Sequence, residues 1–428
     1  MSKYFVLIFS LVVGGAGWAA TSAYDYPVED ALAATIIGTP KDYQAKLENK
    51  IPREEKDIVI FPEREIPTYV PRPSYRYSLA IQEEKAPLVF VIAGTGGSHR
   101  GANMRLLEAA LYGAGMHVVS LSSPTYANFI ITASDTHIPG RSSDDAADLY
   151  RVMEAIWQEN KEQIKVSDFY LTGYSLGGAN AAFVSKLDEQ RQAFNFRKVL
   201  MINPPVNLFN SVGILDNMLG KNIPGPVAPD FNSYLEGIMA KFTAAYQHGE
   251  RLDFNDDFLY RVYENKNNEG DAPKPENLEV LIGTTFRLFS VNMITTADFA
   301  AQRGFILPKG HEFRVSETMT PYFKVAARTT FEDYFNEMYV PYFQEKEASL
   351  TREKLIQENS LESIKSYLSS ADKVAVMHNE DDIILAPGEI DFFRQVFGDR
   401  AKIYPRGGHL GNMAHRDNMT YLVDYFKN

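Results

Sequence analysis

Six short, continuous apolar runs dominate the chain: Leu88–Ala93, His117–Leu121, Asp168–Thr172, Lys198–Asn203, Lys373–His378 and Ala401–Tyr404, with helix-like stretches between them. A strand that is apolar on both sides of its pleat has no face to offer water, so it belongs in a sheet covered on both faces. Such strands alternating with helices predict an α/β fold, a mostly parallel sheet with helices on both faces. Two earlier segments, Asp57–Phe61 and Tyr75–Ile81, alternate apolar and polar residues around Pro71 and Pro73 and read as antiparallel first strands. Among the helices, Ser142–Asn160 opens with serines and first-turn carboxylates that suit its N-terminus, and Gly411–Phe426 closes the chain.

One interval breaks the alternation. About 170 residues separate the run ending at Asn203 from the one starting at Lys373, where a single crossover helix needs a dozen or two. Helix-like stretches lie within it, at Phe231–His248, Asp256–Asn265, Thr329–Phe343 and Leu350–Ser370. Residues 206–360 are therefore expected to form a mainly helical cap insertion between two parts of the core, 57–205 and 361–428. The insertion is only slightly richer in aromatic residues than the whole chain, so composition alone does not mark it as a lipid-binding surface.

At the N-terminus, Lys3 precedes an apolar run from Tyr4 to Val13 and a small-residue ending that includes Ala19, Ala20 and Ala23. This pattern is expected of a secretory signal peptide over residues 1–23, cleaved after Ala19 or Ala23. The run falls short of the ~20 residues that span a bilayer. No second span is expected, and the mature chain is read as exported, periplasmic or secreted. Residues 24–56 form a polar, proline-marked extension with one short apolar helix, Ala31–Ile37, and receive no function from sequence.

Lys plus Arg number 43 against 55 Asp plus Glu, for a formal charge of −12. A nucleic-acid partner is not expected, because binding it relies on a basic face. The absence of cysteine removes disulfides, thiolate metal sites and Cys nucleophiles. Oligomeric state is not legible.

The run Asp168–Thr172 leads into Gly173-Tyr174-Ser175-Leu176-Gly177-Gly178 and then a helix. G-x-S-x-G between strand and helix is the pattern of a nucleophile elbow, in which a strained tight turn exposes the Ser hydroxyl. A second glycine-rich turn, Gly94-Thr95-Gly96-Gly97, follows Leu88–Ala93 and suits an oxyanion site built from the N–H groups of Thr95 and Leu176. Gly94, Gly96, His99 and Tyr174 adjoin these turns and are candidates for contact with substrate. A Ser nucleophile needs a base. His409, in Arg406-Gly407-Gly408-His409-Leu410-Gly411 beyond the last apolar run, is the best placed, while His117, His378 and His415 read as structural. Glu380, Asp381 and Asp382 follow the penultimate run, where an orienting acid should lie; two of the three are expected to be solvated turn charges.

These residues resemble the α/β-hydrolase superfamily over roughly Asp57–Pro205 and Leu361–Asn428, with the insertion where many members carry a lid or cap. The order Ser175, Asp382, His409 matches that family's Ser, Asp, His. Within its G-x-x-D turn Asn379 replaces the Gly, which makes Asp382 the matching acid, and Ala93 replaces the His that often opens the oxyanion loop. The resemblance implies a serine hydrolase that cleaves a carboxylic ester, with lipid esters in range, through an acyl-enzyme and without metal or organic cofactor. A peptidase, amidase or thioesterase with the same triad is the alternative among enzymes, and a non-catalytic binding or scaffold protein of the cell envelope is the alternative outside them.

Overall fold

The computed structural model describes residues 24–48, 50–65, 73–222, 275–311 and 317–428. The signal-like segment and the helix-like stretches Phe231–His248 and Asp256–Asn265 lie outside the described residues.

Eight strands form one sheet: β1 (Glu54–Ile58), β2 (Tyr75–Ala80), β3 (Ala86–Ile92), β4 (His117–Leu121), β5 (Val166–Tyr174), β6 (Lys198–Ile202), β7 (Val374–Asn379) and β8 (Ala401–Tyr404). Their spatial order is β1-β2-β4-β3-β5-β6-β7-β8. β2 runs antiparallel to both β1 and β4, and every other pairing is parallel. The first strand lies three residues earlier than the expected Asp57–Phe61. The paired segment is the charged Glu-Glu-Lys-Asp-Ile, largely exposed along the sheet edge, where charges deter pairing with another chain. The apolar residues that drew the expectation follow its paired end.

The pleat explains the continuous apolar runs. In β3, Leu88, Phe90 and Ile92 enter one core with helices α4 (Ser142–Asn160) and α5 (Leu176–Arg191), while Val89 and Val91 enter a second core on the other face. That second core is closed by α2 (Ala102–Gly113) and the terminal helix Arg416–Lys427. Full burial of one such side chain is worth roughly 1.5–3 kcal/mol, so both faces contribute strongly. The terminal helix starts five residues later than the expected Gly411, because Gly411–Ala414 are spent on turns.

Between β6 and β7 the described residues are helical. They include α6 (Leu208–Gly220), α7 (Pro275–Ala301) and a helix that runs Phe331–Tyr334, passes through a π turn at Phe335–Tyr339 and continues as Val340–Lys346. The π turn has a local cause: Pro341 offers no N–H to the preceding turn. This region packs an apolar cluster shared with Ile130 and Ile138, in which Met293 and Ile294 meet Tyr334, Phe335 and Tyr339. A buried ion pair braces it, with Arg287 Nε donating to Asp216 Oδ1 over 2.9 Å and Asp216 Oδ2 accepting from the Phe331 N–H. The expectation of no second membrane-length stretch meets one exception: Leu278–Ala301 has the length and composition of a span. Since 72% of its apolar window is buried, it serves here as the core helix of the insertion.

Candidate active site

The elbow is built by short-range sterics. Ser175 adopts φ 54° and ψ −127°, a conformation that non-glycine residues avoid, and its N–H donates to Ile202 O over 2.8 Å. Gly177 has to lack a side chain, because a Cβ there would lie 2.2 Å from Ile92 O on the neighbouring strand. Gly173 is confined in the same way, by Gly177 O at 2.2 Å from a Cβ. The turn is thereby wedged between β3 and β6, with Ser175 at the carboxyl end of β5.

His409 closes on Ser175 from the loop after β8. Its Nε2 lies 2.9 Å from Ser175 Oγ, and its Nδ1 lies 3.0 and 3.1 Å from the two oxygens of Asp382. Asp382 is buried and receives further bonds from the Ile384 N–H at 3.1 Å and Asn203 Nδ2 at 2.8 Å. Burial alone would push its carboxyl up; the charge and hydrogen bond of His409, with the Asn203 hydrogen bond, outweigh burial and hold it below the usual range. Ser175, His409 and Asp382 are thus brought into one hydrogen-bonded row.

Of the other acids, Asp381 is not a free turn charge: its carboxylate accepts from the N–H groups of Gly407 and Gly408 at 3.2 and 2.9 Å, holding the His409 loop. Glu380 is exposed and paired with Arg394. Asn203, just past β6, orients Asp382; as an amide in Asn203-Pro204-Pro205 it gives the sequence no acid signal. His378 is buried beside Asp382 with both ring nitrogens engaged: Nε2 bonds Pro204 O at 3.0 Å and Nδ1 accepts from the Asn379 N–H at 2.9 Å. Burial lowers its pKa, leaving a neutral structural histidine. His117 and His415 are likewise buried and hydrogen-bonded. Asp25, His415 and Asp417 bring possible ligand atoms within 4.8 Å of one another. Asp25 pairs with Arg416, and His415 Nδ1 accepts from the Asp417 N–H.

In the glycine-rich turn after β3, the Gly96 N–H donates to Thr125 Oγ1 and the Gly97 N–H to Gly94 O. Gly94 packs against Tyr174 and Ser175, and Gly96 lies under the ring of Phe289 from α7. Thr95 and Leu176 both face a cleft, but His99 and Tyr174 do not line it. His99 is buried with its N–H on Ser122 Oγ; burial, followed by Arg76 and Arg100, lowers its pKa to about 3, so it is a neutral packing residue. The cleft holds about 630 Å³ of empty space, open to solvent, between the elbow and the insertion. Its walls are chiefly apolar: Phe209, Phe286, Phe289, Met293, Phe331 and Phe335 face it, with no charged side chain among the described residues that line it.

No family model and no curated protein matches the chain. Among solved structures it is similar to the thioesterase domain from the curacin biosynthetic pathway, at 11% identity and TM-score 0.38 over 88% of this chain and 99% of that one. It is also similar to a hyperthermophilic esterase from the archaeon Pyrobaculum calidifontis, at 15% and 0.42 over 88% and 86%. Proline iminopeptidase from Mycobacterium smegmatis gives 12% and 0.38 over 87% and 98%. On its own strand order, its elbow between β5 and α5 and the helices on both faces of its sheet, the chain has the α/β-hydrolase fold.

Proposed function

We propose that the protein is an exported serine hydrolase that cleaves a carboxylic ester, with a lipid ester as the favoured form. The observation that carries this reading is the 2.9 Å approach of His409 Nε2 to Ser175 Oγ, with Asp382 on the far side of the ring. In the proposed reaction Ser175 Oγ attacks the ester carbonyl while His409 Nε2 takes the hydroxyl proton. Asp382 holds Nδ1–H and stabilises the imidazolium. The N–H groups of Thr95 and Leu176 face the developing oxyanion. Collapse of the tetrahedral intermediate expels the alkoxide, which takes the proton from His409. Water then attacks the acyl-Ser175 ester, with His409 again as base, and releases the acid. The uncharged aromatic cleft supports an apolar acyl or alkyl group over a peptide, whose amides would lose their hydration there unpaired. Export rests on Lys3, the apolar run and the small-residue ending of the first 23 residues.

Labelling by a fluorophosphonate probe tests the enzyme reading, and p-nitrophenyl esters run beside peptide amides test the leaving group. Ser175→Ala should abolish labelling and lower ester turnover by ~10⁵-fold or more while the protein stays folded. Undiminished turnover by that variant would place the chemistry elsewhere.

A further inference from the structure

We propose that residues Tyr24–Thr39 are a strap that positions the catalytic base, and that the Thr35 hydroxyl is its key group. This rests on the reading of His409 as the base. The strap lies across the His409 loop at several points. Tyr24 Oη donates to Arg406 O at 3.0 Å and accepts from Asn412 Nδ2 at 2.8 Å. Arg406 Nε donates to Tyr26 O at 2.7 Å, and Thr39 Oγ1 to Gly411 O at 2.8 Å. Between these ties runs α1 (Ala31–Ile37), whose N-terminus is capped by Asp30. The fit is close: a Cβ on Gly408, at φ +55°, would lie 2.2 Å from Ala31 O, and one on Gly411 would lie 2.1 Å from Ala34 O.

Thr35 acts on the base residue itself. The His409 N–H donates to Thr35 Oγ1 at 2.9 Å, and the hydroxyl hydrogen is directed to Ala31 O at 2.7 Å. With its single hydrogen committed to its own helix, the hydroxyl presents a lone pair to His409. Asp381 and Asn379 hold Gly407 and Gly408 from the opposite side, so the strap completes a two-sided clamp. Leu410, at φ 64°, continues the loop in a conformation unfavourable to leucine, which needs such support. The strap is in turn backed by the insertion, because Leu32, Ala33 and Ile36 pack with Met218, Leu278, Leu281 and Ile282. Thr35 is therefore a positioning residue that acts through the main chain of His409.

The test uses the full mature chain with Thr35→Val, which keeps the shape and removes the hydroxyl, and Thr35→Ser, which restores it. Displacement of a reacting group by about 1 Å can cost on the order of 100-fold. In Thr35→Val, kcat for p-nitrophenyl butyrate and the phosphonylation rate should fall by about 10- to 100-fold, while KM stays within about twofold. Thr35→Ser should recover most of the loss. Thermal unfolding gives the folded fraction, and should Thr35→Val be too unstable, Tyr24→Phe carries the test through a smaller loss of kcat at unchanged KM. Wild-type kcat in folded Thr35→Val, or a loss that Thr35→Ser does not repair, overturns the assignment while Ser175 labelling in the parent leaves the hydrolase reading intact. A parent protein inert to probe and esters would bring down that reading and this one together.

Discussion

Ser175 and His409 meet at 2.9 Å, yet they are held in opposite ways. The serine is fixed by its own neighbourhood: the strand before it, the helix after it, and glycines whose missing side chains let the turn press against adjacent strands. The histidine sits on a loop with little regular structure and owes its place to groups from both ends of the chain, among them Thr35, Asp381 and Asp382. Geometry at Ser175 is thus local, whereas geometry at His409 is a tertiary product. Lesions should accordingly be concentrated on the serine side and distributed on the histidine side.

The largest effect expected on the histidine side comes from Asp382→Asn. The amide keeps the shape but presents the wrong hydrogen-bond polarity to Nδ1, and in the serine-protease template that inversion costs ~10⁴-fold in kcat. A loss of that size in kcat, measured on a small ester, would match the distributed picture with one dominant member; a near-silent Asp382→Asn would break it.

Asn203→Ala should come next, lowering kcat by about tenfold, because a hydrogen bond to a buried charge is among the stronger ones. It also carries a pH signature. Since the Asp382 carboxyl is held below its ordinary value of 3.8, its stabilisation is present above that pH and is lost as pH falls through the lowered value. Asn203→Ala should weaken this acid-dependent loss, as read by thermal unfolding from about pH 5 downward.

Asp381→Asn should cost only about two- to fivefold, since one amide oxygen can still accept from a loop N–H. If this change were crippling and Asp382→Asn mild, the acid would be one residue earlier than assigned. On a small ester the smallest effect is that of Phe335→Ala in the cleft wall: acetate ester turnover should stay within about twofold, while esters of eight or more carbons lose roughly tenfold in kcat/KM, as expected when buried aromatic area is removed. Equal losses on short and long esters would mean that the aromatic wall supports the core.

What could be read from the sequence follows the same division. The elbow was legible because six consecutive residues, Gly173–Gly178, carry the whole steric argument. His117–Leu121, Ala401–Tyr404 and Ser142–Asn160 form where expected, since apolar continuity and first-turn carboxylates act over short range; the serines do not cap the helix, whose N-cap is Arg141 with no side-chain bond. The strap's helix Ala31–Ile37 forms where expected, but its role was not legible, because Thr35 acquires meaning only from a residue 374 positions away. Asn203 escaped because an amide gives no acid signal, and the aromatic wall escaped because averaged composition conceals that Phe209, Phe286, Phe331 and Phe335 converge on one cleft.

The bond between Thr35 and His409 also sets a clock on biosynthesis. At 5–20 residues per second, the 374 positions between them take roughly 20 to 75 s to synthesise. Over the last 234 of those positions Ser175 and the strap already exist, while His409 does not. Closing so long a loop is among the entropically costlier steps of folding and belongs late in it. On the reading of His409 as the base, a partly made chain has an elbow but no base until His409 is added.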